Sequence, residues 1–241
     1  MISPATKVAV ITGASSGIGK AIAEHLATED TFLCLLGRRL DALNSLSENL
    51  KSRAAGVLSY RVDLTQDEDI LTAARNIQSD CGGVDVLIHS AGVIRIGPFE
   101  SSSIHDFDFQ FRANVRGPYL LTQALLPSLK SNRGQVVFIN STAGLNAPAN
   151  VSQYAATKHA LKAITDSLRN EVNSFGVRVI SVYPGRTATP MQEKLREIEN
   201  APYHTERLLQ PADVAAAVTH ALTLPRTAEI TDLVIRPLQK P

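Results

Sequence analysis

The chain has 241 residues, with 24 basic and 23 acidic side chains for a net charge of +1, and 44% of it is apolar. That is enough apolar material for one α/β core, and the balanced charge, with no block of one sign, excludes a nucleic-acid groove or a polybasic membrane patch. No stretch of about 18 apolar residues is available to span a bilayer. The opening Met-Ile-Ser-Pro-Ala-Thr-Lys runs directly into Val-Ala-Val-Ile-Thr-Gly, which reads as a buried strand and not as a signal-peptide core, so a cytoplasmic location is expected.

Strand and helix patterns alternate along the chain. Val8–Thr12 is a short apolar run entering a Gly-rich turn, and a helical pattern covers Gly19–Thr28. Phe32–Leu36 reads as a strand, Leu40–Lys51 as a helix and Val57–Val62 as a strand. A helix over Gln66–Asp80 and a strand over Val84–His89 follow. One long helix is expected over Ile104–Lys130, then a strand over Gln135–Asn140, a helix over Tyr154–Asn173 and a strand over Val177–Val182. Pro211–Ala221 reads as a late helix and Ile230–Ile235 as the last strand. Fully apolar strands alternating with helices imply a parallel sheet covered on both faces. Right-handed crossovers then make it a Rossmann-like, doubly wound α/β fold, here one domain over residues 1–241.

The turn after the first strand is Thr12-Gly13-Ala14-Ser15-Ser16-Gly17-Ile18-Gly19. Between a strand and a helix, clustered glycines let backbone approach a pyrophosphate. The helix N-terminus adds unpaired N–H groups and the positive end of its dipole. Gly13, Ser15, Ser16, Gly17, Ile18 and Gly19 are therefore candidate cofactor contacts. The second strand ends in Leu36-Gly37-Arg38-Arg39. NAD sites place a carboxylate there for the ribose hydroxyls. A guanidinium instead grips a 2′-phosphate through charge-assisted bonds. Arg38 is the main candidate for that role and Arg39 the lesser, so NADP is expected over NAD.

Tyr154 and Lys158 are four residues apart and share one helix face. A phenol titrates near ~10. A neighbouring ammonium, or the positive nicotinamide of an oxidised cofactor, lowers that value and gives a general acid–base. Thr157, between them, reads as an ordinary helix residue.

The spacing Gly-x-x-x-Gly-x-Gly behind Thr12 resembles that of the short-chain dehydrogenase/reductase family. The resemblance continues in order through Asp63-Leu64, Ser90-Ala91-Gly92, Asn114-Val115-Arg116-Gly117, Ser141, Tyr154-x-x-x-Lys158 and Pro184-Gly185, over nearly the whole chain. It implies an enzyme acting on CH–OH groups, with hydride leaving the nicotinamide C4. Tyr154 gives or takes the proton, and Ser141 polarises the carbonyl. Lys158 lowers the tyrosine pKa and bonds the nicotinamide ribose, and Asn114 holds a water that links Lys158 to a proton path. Asp63 and Leu64 contact the adenine. Ser90, Ala91 and Gly92 line the cofactor, as do Pro184 and Gly185, while Thr187 and Thr189 clamp the carboxamide. His89-Ser90 replaces the family's two asparagines, and His89 reads as a structural histidine.

The substrate walls are expected from Val93–Phe99, Gly144–Gln153 and Met191–Arg207, the last a short amphipathic lid (about 187–207) with Met191, Leu195 and Ile198 at helical spacing. Arg95 and Arg186 lie near the pocket mouth by motif position, either as solvated loop residues or as partners for an acidic group. The ending Glu229-Ile230-Thr231-Asp232 lacks the Gly-rich turn of acyl-carrier reductases and is more similar to relatives acting on small polar alcohols and hydroxy acids. Similar proteins are homodimers or homotetramers, and here Leu120, Leu121, Ala124 and Leu125 form either such a face or core. Two other readings stay open: an NAD-linked alcohol or 3-hydroxy acid dehydrogenase, and an NADPH-sensing protein without turnover. Cys34 and Cys81 are expected as free thiols. No cysteine–histidine spacing suits a metal, so none is expected.

Overall fold

The apolar runs pair edge to edge into one seven-stranded sheet in the computed structural model, which describes residues 6–239. Residues 1–5 and 240–241, the ends of the expected 1–241 domain, lie outside the described residues. The strands are β1 (Lys7–Thr12), β2 (Thr31–Gly37), β3 (Gly56–Arg61), β4 (Val86–His89), β5 (Gln135–Ile139), β6 (Arg178–Pro184) and β7 (Asp232–Ile235). They lie in the order β3-β2-β1-β4-β5-β6-β7, and every pairing is parallel.

The period-2 geometry of a strand sends alternate side chains to opposite faces. Ala9 and Ile11 enter one core with α1 (Gly17–Leu26), α2 (Leu40–Leu50) and α8 (Pro211–Thr223). Val8 and Val10 enter the other with α3 (Asp67–Cys81), α5 (Gly117–Ser131) and α6 (Ser152–Val172). Each fully buried Leu, Ile or Val contributes roughly 1.5–3 kcal/mol, which is why the strands carry continuous apolar runs. The expected α/β class and doubly wound parallel sheet are what the chain forms. Strand order reverses between β1 and β4, and this switch point opens a crevice beyond their C-terminal ends.

One expectation needs correction and two are sharpened. The helix expected over Ile104–Lys130 is broken into α4 (Ile104–Phe111), a π-helical turn (Arg112–Arg116) and α5. The wider turn accompanies a close approach at Gly117, where a Cβ would lie 2.4 Å from the Leu64 carbonyl oxygen. Asn114 lies at the centre of the turn and is buried. Leu120, Leu121, Ala124 and Leu125, read as either an assembly face or core, divide: Leu121 and Leu125 are core, Leu120 packs against that core, and Ala124 is exposed. The lid does form a helix, α7 (Pro190–Ile198), but Met191 and Ile198 are exposed while Gln192 is buried. Polar contacts at its two ends hold this helix. Thr189 Oγ1 accepts the Gln192 N–H at 3.2 Å, and Glu199 takes both guanidinium nitrogens of Arg186 at 2.6 and 2.7 Å.

One buried cation closes the far side of the sheet. α8 ends without a glycine, leaving carbonyls with no helical partner. Arg178, at the start of β6, donates to the carbonyls of Leu222, Leu224 and Ala228 at 2.9–3.1 Å. Gln135 adds a bond to Leu222 O at 3.1 Å. Replacing Arg178 with Met keeps the stem and strands these carbonyls. It should cost about 2–4 kcal/mol in chemical denaturation, on the scale of several lost charge-assisted bonds; a loss under about 0.5 kcal/mol, typical of a neutral surface change, would remove the assigned role.

Candidate active site

The C-terminal edges of β1, β4, β5 and β6 converge on the crevice, and the Gly loop leaves β1 into it. Gly13 and Gly17 adopt φ of +68° and +55°, a region L side chains rarely enter. A Cβ on Gly13 would lie 2.7 Å from the Ala91 backbone, and one on Gly19 2.5 Å from the Gly13 carbonyl oxygen. Thr12 ties this turn to β4. Its buried hydroxyl accepts the N–H groups of Ser90 and Ala91, both at 3.1 Å, and lies 3.4 Å from Ile88 O. The first strand's turn and Ser90-Ala91-Gly92 are thereby held as one floor.

α1 begins directly above that floor. Ser16 precedes it without a side-chain cap, and no acidic residue occupies its first turn. Uncapped N–H groups, a backbone cradle with no space for Cβ atoms and a nearby guanidinium suit a diphosphate. The guanidinium is that of Arg39, which reaches the Ser15 carbonyl at 3.4 Å and its hydroxyl at 3.5 Å. Arg38 is exposed and, among the described residues, makes no hydrogen bond or ion pair with another side chain. Asp63 is used locally: its carboxylate accepts the N–H and hydroxyl of Thr65 at 2.9 and 2.8 Å. Leu64 is buried beneath Gly117.

The second half of the site joins β5 to α6. Lys158 is 4% exposed, and its ammonium donates to Ile139 O at 3.1 Å. Burial pushes it down to about 8. Asn140, which the sequence offers only as a neighbour of Ser141, locks the two elements together. Its amide donates to Lys158 O at 3.1 Å and accepts the Ser141 N–H at 2.9 Å. Gly144 packs into this joint, where a Cβ would lie 2.6 Å from Asn140 Oδ1. The Ser141 hydroxyl accepts the Ala143 N–H at 3.1 Å, which leaves its own proton free to donate.

The protein's own groups do not lower the Tyr154 phenol. Burial raises its phenol above the ordinary value, and the Ser141 hydroxyl pulls only partly against it. The Lys158 ammonium is 5.7 Å from the tyrosine ring centre and bonded to Ile139 O, so among the protein's own groups desolvation outweighs it.

Asn114 is held by three hydrogen bonds. Its carbonyl oxygen accepts the Val93 N–H and its amide donates to Val93 O, both at 2.8 Å. The remaining N–H goes to Thr157 Oγ1 at 3.1 Å, and that hydroxyl donates to Tyr154 O at 2.7 Å. Thr157 therefore links the π turn to the helix of Tyr154 and is more than a helix residue. Asn114 and Lys158 both border Gly92, with Oδ1 and Nζ at 3.6 and 4.0 Å from the position a Cβ would take there. Hydrogen-bond geometry of this kind has no sequence period, and only the chemistry of buried Asn and Thr hints at it.

Beyond β6, Gly185 follows Pro184 at the sheet edge. Thr187 pairs with Leu209 across the base of the lid, and its hydroxyl donates to Gly185 O at 3.0 Å. Thr189 faces the Gly loop, its methyl 3.0 Å from the Cβ position of Gly17, while its hydroxyl caps α7. Opposite, Gln110 joins two walls. It accepts the Arg95 N–H at 2.8 Å and donates to Gln153 at 3.1 Å. Both arginines near the mouth are engaged: Arg186 by Glu199, and Arg95 by Asp106 at 3.6 Å and the face of Phe109 at 5.5 Å. His89 is a buried structural residue. Nε2 meets Thr122 Oγ1 at 2.8 Å, the ring stacks on Phe138 at 4.8 Å, and burial pushes its pKa down to about 3.

Residues 7–200 match the short chain dehydrogenase family. An uncharacterised oxidoreductase of Staphylococcus epidermidis is 33% identical over 233 residues, which is 96% of this chain and 97% of that protein. The alcohol dehydrogenase of Thermococcus sibiricus, solved in complex with 5-hydroxy-NADP, superposes with a TM-score of 0.89 at 28% identity, over 98% of this chain and 99% of that one. Actinorhodin polyketide ketoreductase, solved with NADPH, superposes at 0.88 and 26% identity over 98% and 97%. The chain belongs to the short-chain dehydrogenase family of oxidoreductases. No helix among the described residues is long and apolar enough to cross a membrane, and no group of His, Cys, Asp and Glu among them could hold a metal ion.

The buried ammonium of Lys158 makes a stability prediction. Its folded pKa, about 8, lies below its ordinary 10.5. The unfolded chain then binds more protons between those values, so stability rises with pH through that window. Below pH 8 the burial penalty is fully present. Lys158→Met should therefore raise stability at pH 7 by about 1–3 kcal/mol, and the gain should fade as pH climbs toward 10.5. Parallel denaturation curves at pH 7 and pH 10 test this; a variant less stable at pH 7 would refute it.

Proposed function

We propose that this chain is an NADP(H)-dependent reductase or dehydrogenase for a small carbonyl or alcohol, with Tyr154 as general acid–base. The observation that carries this reading is the joint at Asn140 and Ile139, which holds Ser141, Tyr154 and Lys158 around one crevice beside an open phosphate cradle. When bound, the cofactor supplies or takes hydride at the nicotinamide C4.

The chain's own groups do the rest. The loop from Gly13 to Gly19, with Ser90, Ala91 and Gly92 beneath it, receives the diphosphate. Asp63 and Leu64 sit at the adenine end. Arg38, unengaged, and Arg39, already over Ser15, receive a 2′-phosphate through charge-assisted bonds. Thr187 and Thr189, following Pro184 and Gly185, hold the carboxamide end. Ser141 donates its free hydroxyl proton to the substrate carbonyl oxygen, and Tyr154 delivers the proton that becomes the alcohol. The raised phenol pKa keeps that proton on Tyr154 at neutral pH, which suits reduction. A cationic nicotinamide in the crevice would favour phenolate and so suits oxidation. Lys158, with one ammonium proton on Ile139 O, keeps two donors for the nicotinamide ribose and the phenol. Asn114 acts as a positioning residue through Val93 and Thr157.

The loops 93–99 and 144–153 are tied by Gly97 N–H to Asn150 O at 2.8 Å. Because Arg95 and Arg186 are already paired, an acidic substrate gains little there, and a small neutral carbonyl fits best. A cytoplasmic homodimer or homotetramer accompanies this reading.

NADPH oxidation across a panel of aldehydes, ketones and keto acids tests the reaction. Tyr154→Phe should lower kcat about 10²–10⁴-fold and leave NADPH affinity nearly unchanged. Wild type that binds NADPH and reduces nothing in a broad panel would make it a sensor instead. Arg38→Asp should weaken NADPH binding by roughly 10- to 100-fold and spare NADH. A wild-type preference for NADH would move the assignment to an NAD-linked alcohol or hydroxy acid dehydrogenase.

A further inference from the structure

The chain has two cysteines, and the fold brings them into contact. Cys34 is fully buried in the middle of β2, opposite Val10 and Leu58 of the adjoining strands. Cys81 is the last residue of α3 and is partly exposed. Their sulfur atoms are 3.5 Å apart, although 47 residues separate them in sequence. A buried cysteine alone is commonly a small apolar side chain. Two in sulfur contact, one sheltered and one reachable from solvent, form a different chemical object.

We propose that Cys34 and Cys81 are an oxidisable dithiol that closes to an intramolecular disulfide when a hydroperoxide or a low-molecular-weight disulfide reaches Cys81. The bond needs sulfur atoms about 2.05 Å apart, a closure of about 1.5 Å. Two glycines follow Cys81 where α3 ends. Gly82 follows Cys81 in the left-handed region at φ +75°, with nothing within 4 Å of its Cβ position, and Gly83 comes next. Beside the pair, Tyr60 and Asp80 are joined by a 2.8 Å hydrogen bond, and among the described residues no basic side chain is hydrogen-bonded to either cysteine.

The roles differ by position. Cys81 attacks first, because only it meets solvent. With a hydroperoxide its thiolate forms an S–O bond, the O–O bond breaks, and an alcohol or water leaves with a proton. Cys34 then attacks the sulfenic sulfur; the S–S bond forms, the S–O bond breaks, and water leaves. Two thiols lose two electrons in all and one peroxide gains them. A small disulfide reaches the same product by two thiol exchanges. The contact also polarises the pair: the Cys34 thiol hydrogen-bonds Cys81, which lies below its usual range, while Cys34 lies far above its own. The product would join the strand leading to Arg38 and Arg39 to the far end of α3. This chemistry does not depend on hydride transfer and is read without cofactor or substrate.

The test uses the full chain, reduced and freed of reductant, treated with hydrogen peroxide or oxidised glutathione. Thiols are then counted and peptides mapped. Loss of both thiols, with one cross-link between the Cys34 and Cys81 peptides that dithiothreitol reverses, is the expected result. In Cys34→Ala, Cys81 should stop at a dimedone-reactive sulfenic acid or a glutathione adduct. In Cys81→Ser, Cys34 should stay reduced while the protein is folded. Wild type in which Cys81 is oxidised while Cys34 keeps its thiol, in which Cys81 links two chains, or in which neither reacts would overturn the proposal. The wild-type map decides even if a variant fails to fold.

Discussion

A single buried ammonium organises the rim of this sheet. Lys158 is almost wholly buried, and a charge in such a place is costly unless something bonds it. Ile139 O supplies that bond from the end of β5. Asn140, the next residue, reaches back to the Lys158 carbonyl and holds the Ser141 N–H. Strand end, serine and helix are thus one rigid unit. The same burial that depresses the lysine raises the tyrosine a turn away, since both effects come from removing water from a charged form. Stability is given up at this point for the sake of an arrangement of polar groups.

A second unit faces it across the switch point of the sheet. Thr12 joins the Gly loop to Ser90 and Ala91, and Asn114 joins Val93 to Thr157. The contacts of these two buried side chains span between 21 and 79 residues of sequence. The π-helical turn fits this picture. A regular α-helix from Ile104 onward would rotate Asn114 away, because one inserted residue changes the phase of every side chain after it. Local strain of helix pairing is offset by three hydrogen bonds from one amide.

The lid follows a different logic. Its helix is short, and its apolar stripe points outward at Met191 and Ile198. What holds it is charge and capping, at Arg186–Glu199 and Thr189. An element with little buried apolar area and mostly exposed polar contacts belongs to the low-stability end of a fold.

The sequence alone determined the architecture and singled out the candidate site residues. Continuous apolar strands between helical periods call for a parallel sheet covered by helices, and in a doubly wound sheet strand-end motifs fall along one crevice. Gly13, Gly17, Gly19, Ser141, Tyr154 and Lys158 were legible because each has a fixed offset from a strand or helix. The tertiary structure alone decided which groups support them. Asn140, Thr12 and Thr157 act through hydrogen bonds between distant segments, for which no local pattern exists. It also decided the π turn, the division of α5 between core and surface, and the sign of the Tyr154 shift. Each depends on burial, which is a property of the packed whole and not of neighbouring residues. The contact of Cys34 with Cys81 is of the same kind: two unremarkable residues in the chain become a chemical pair only when β2 and the end of α3 are brought together.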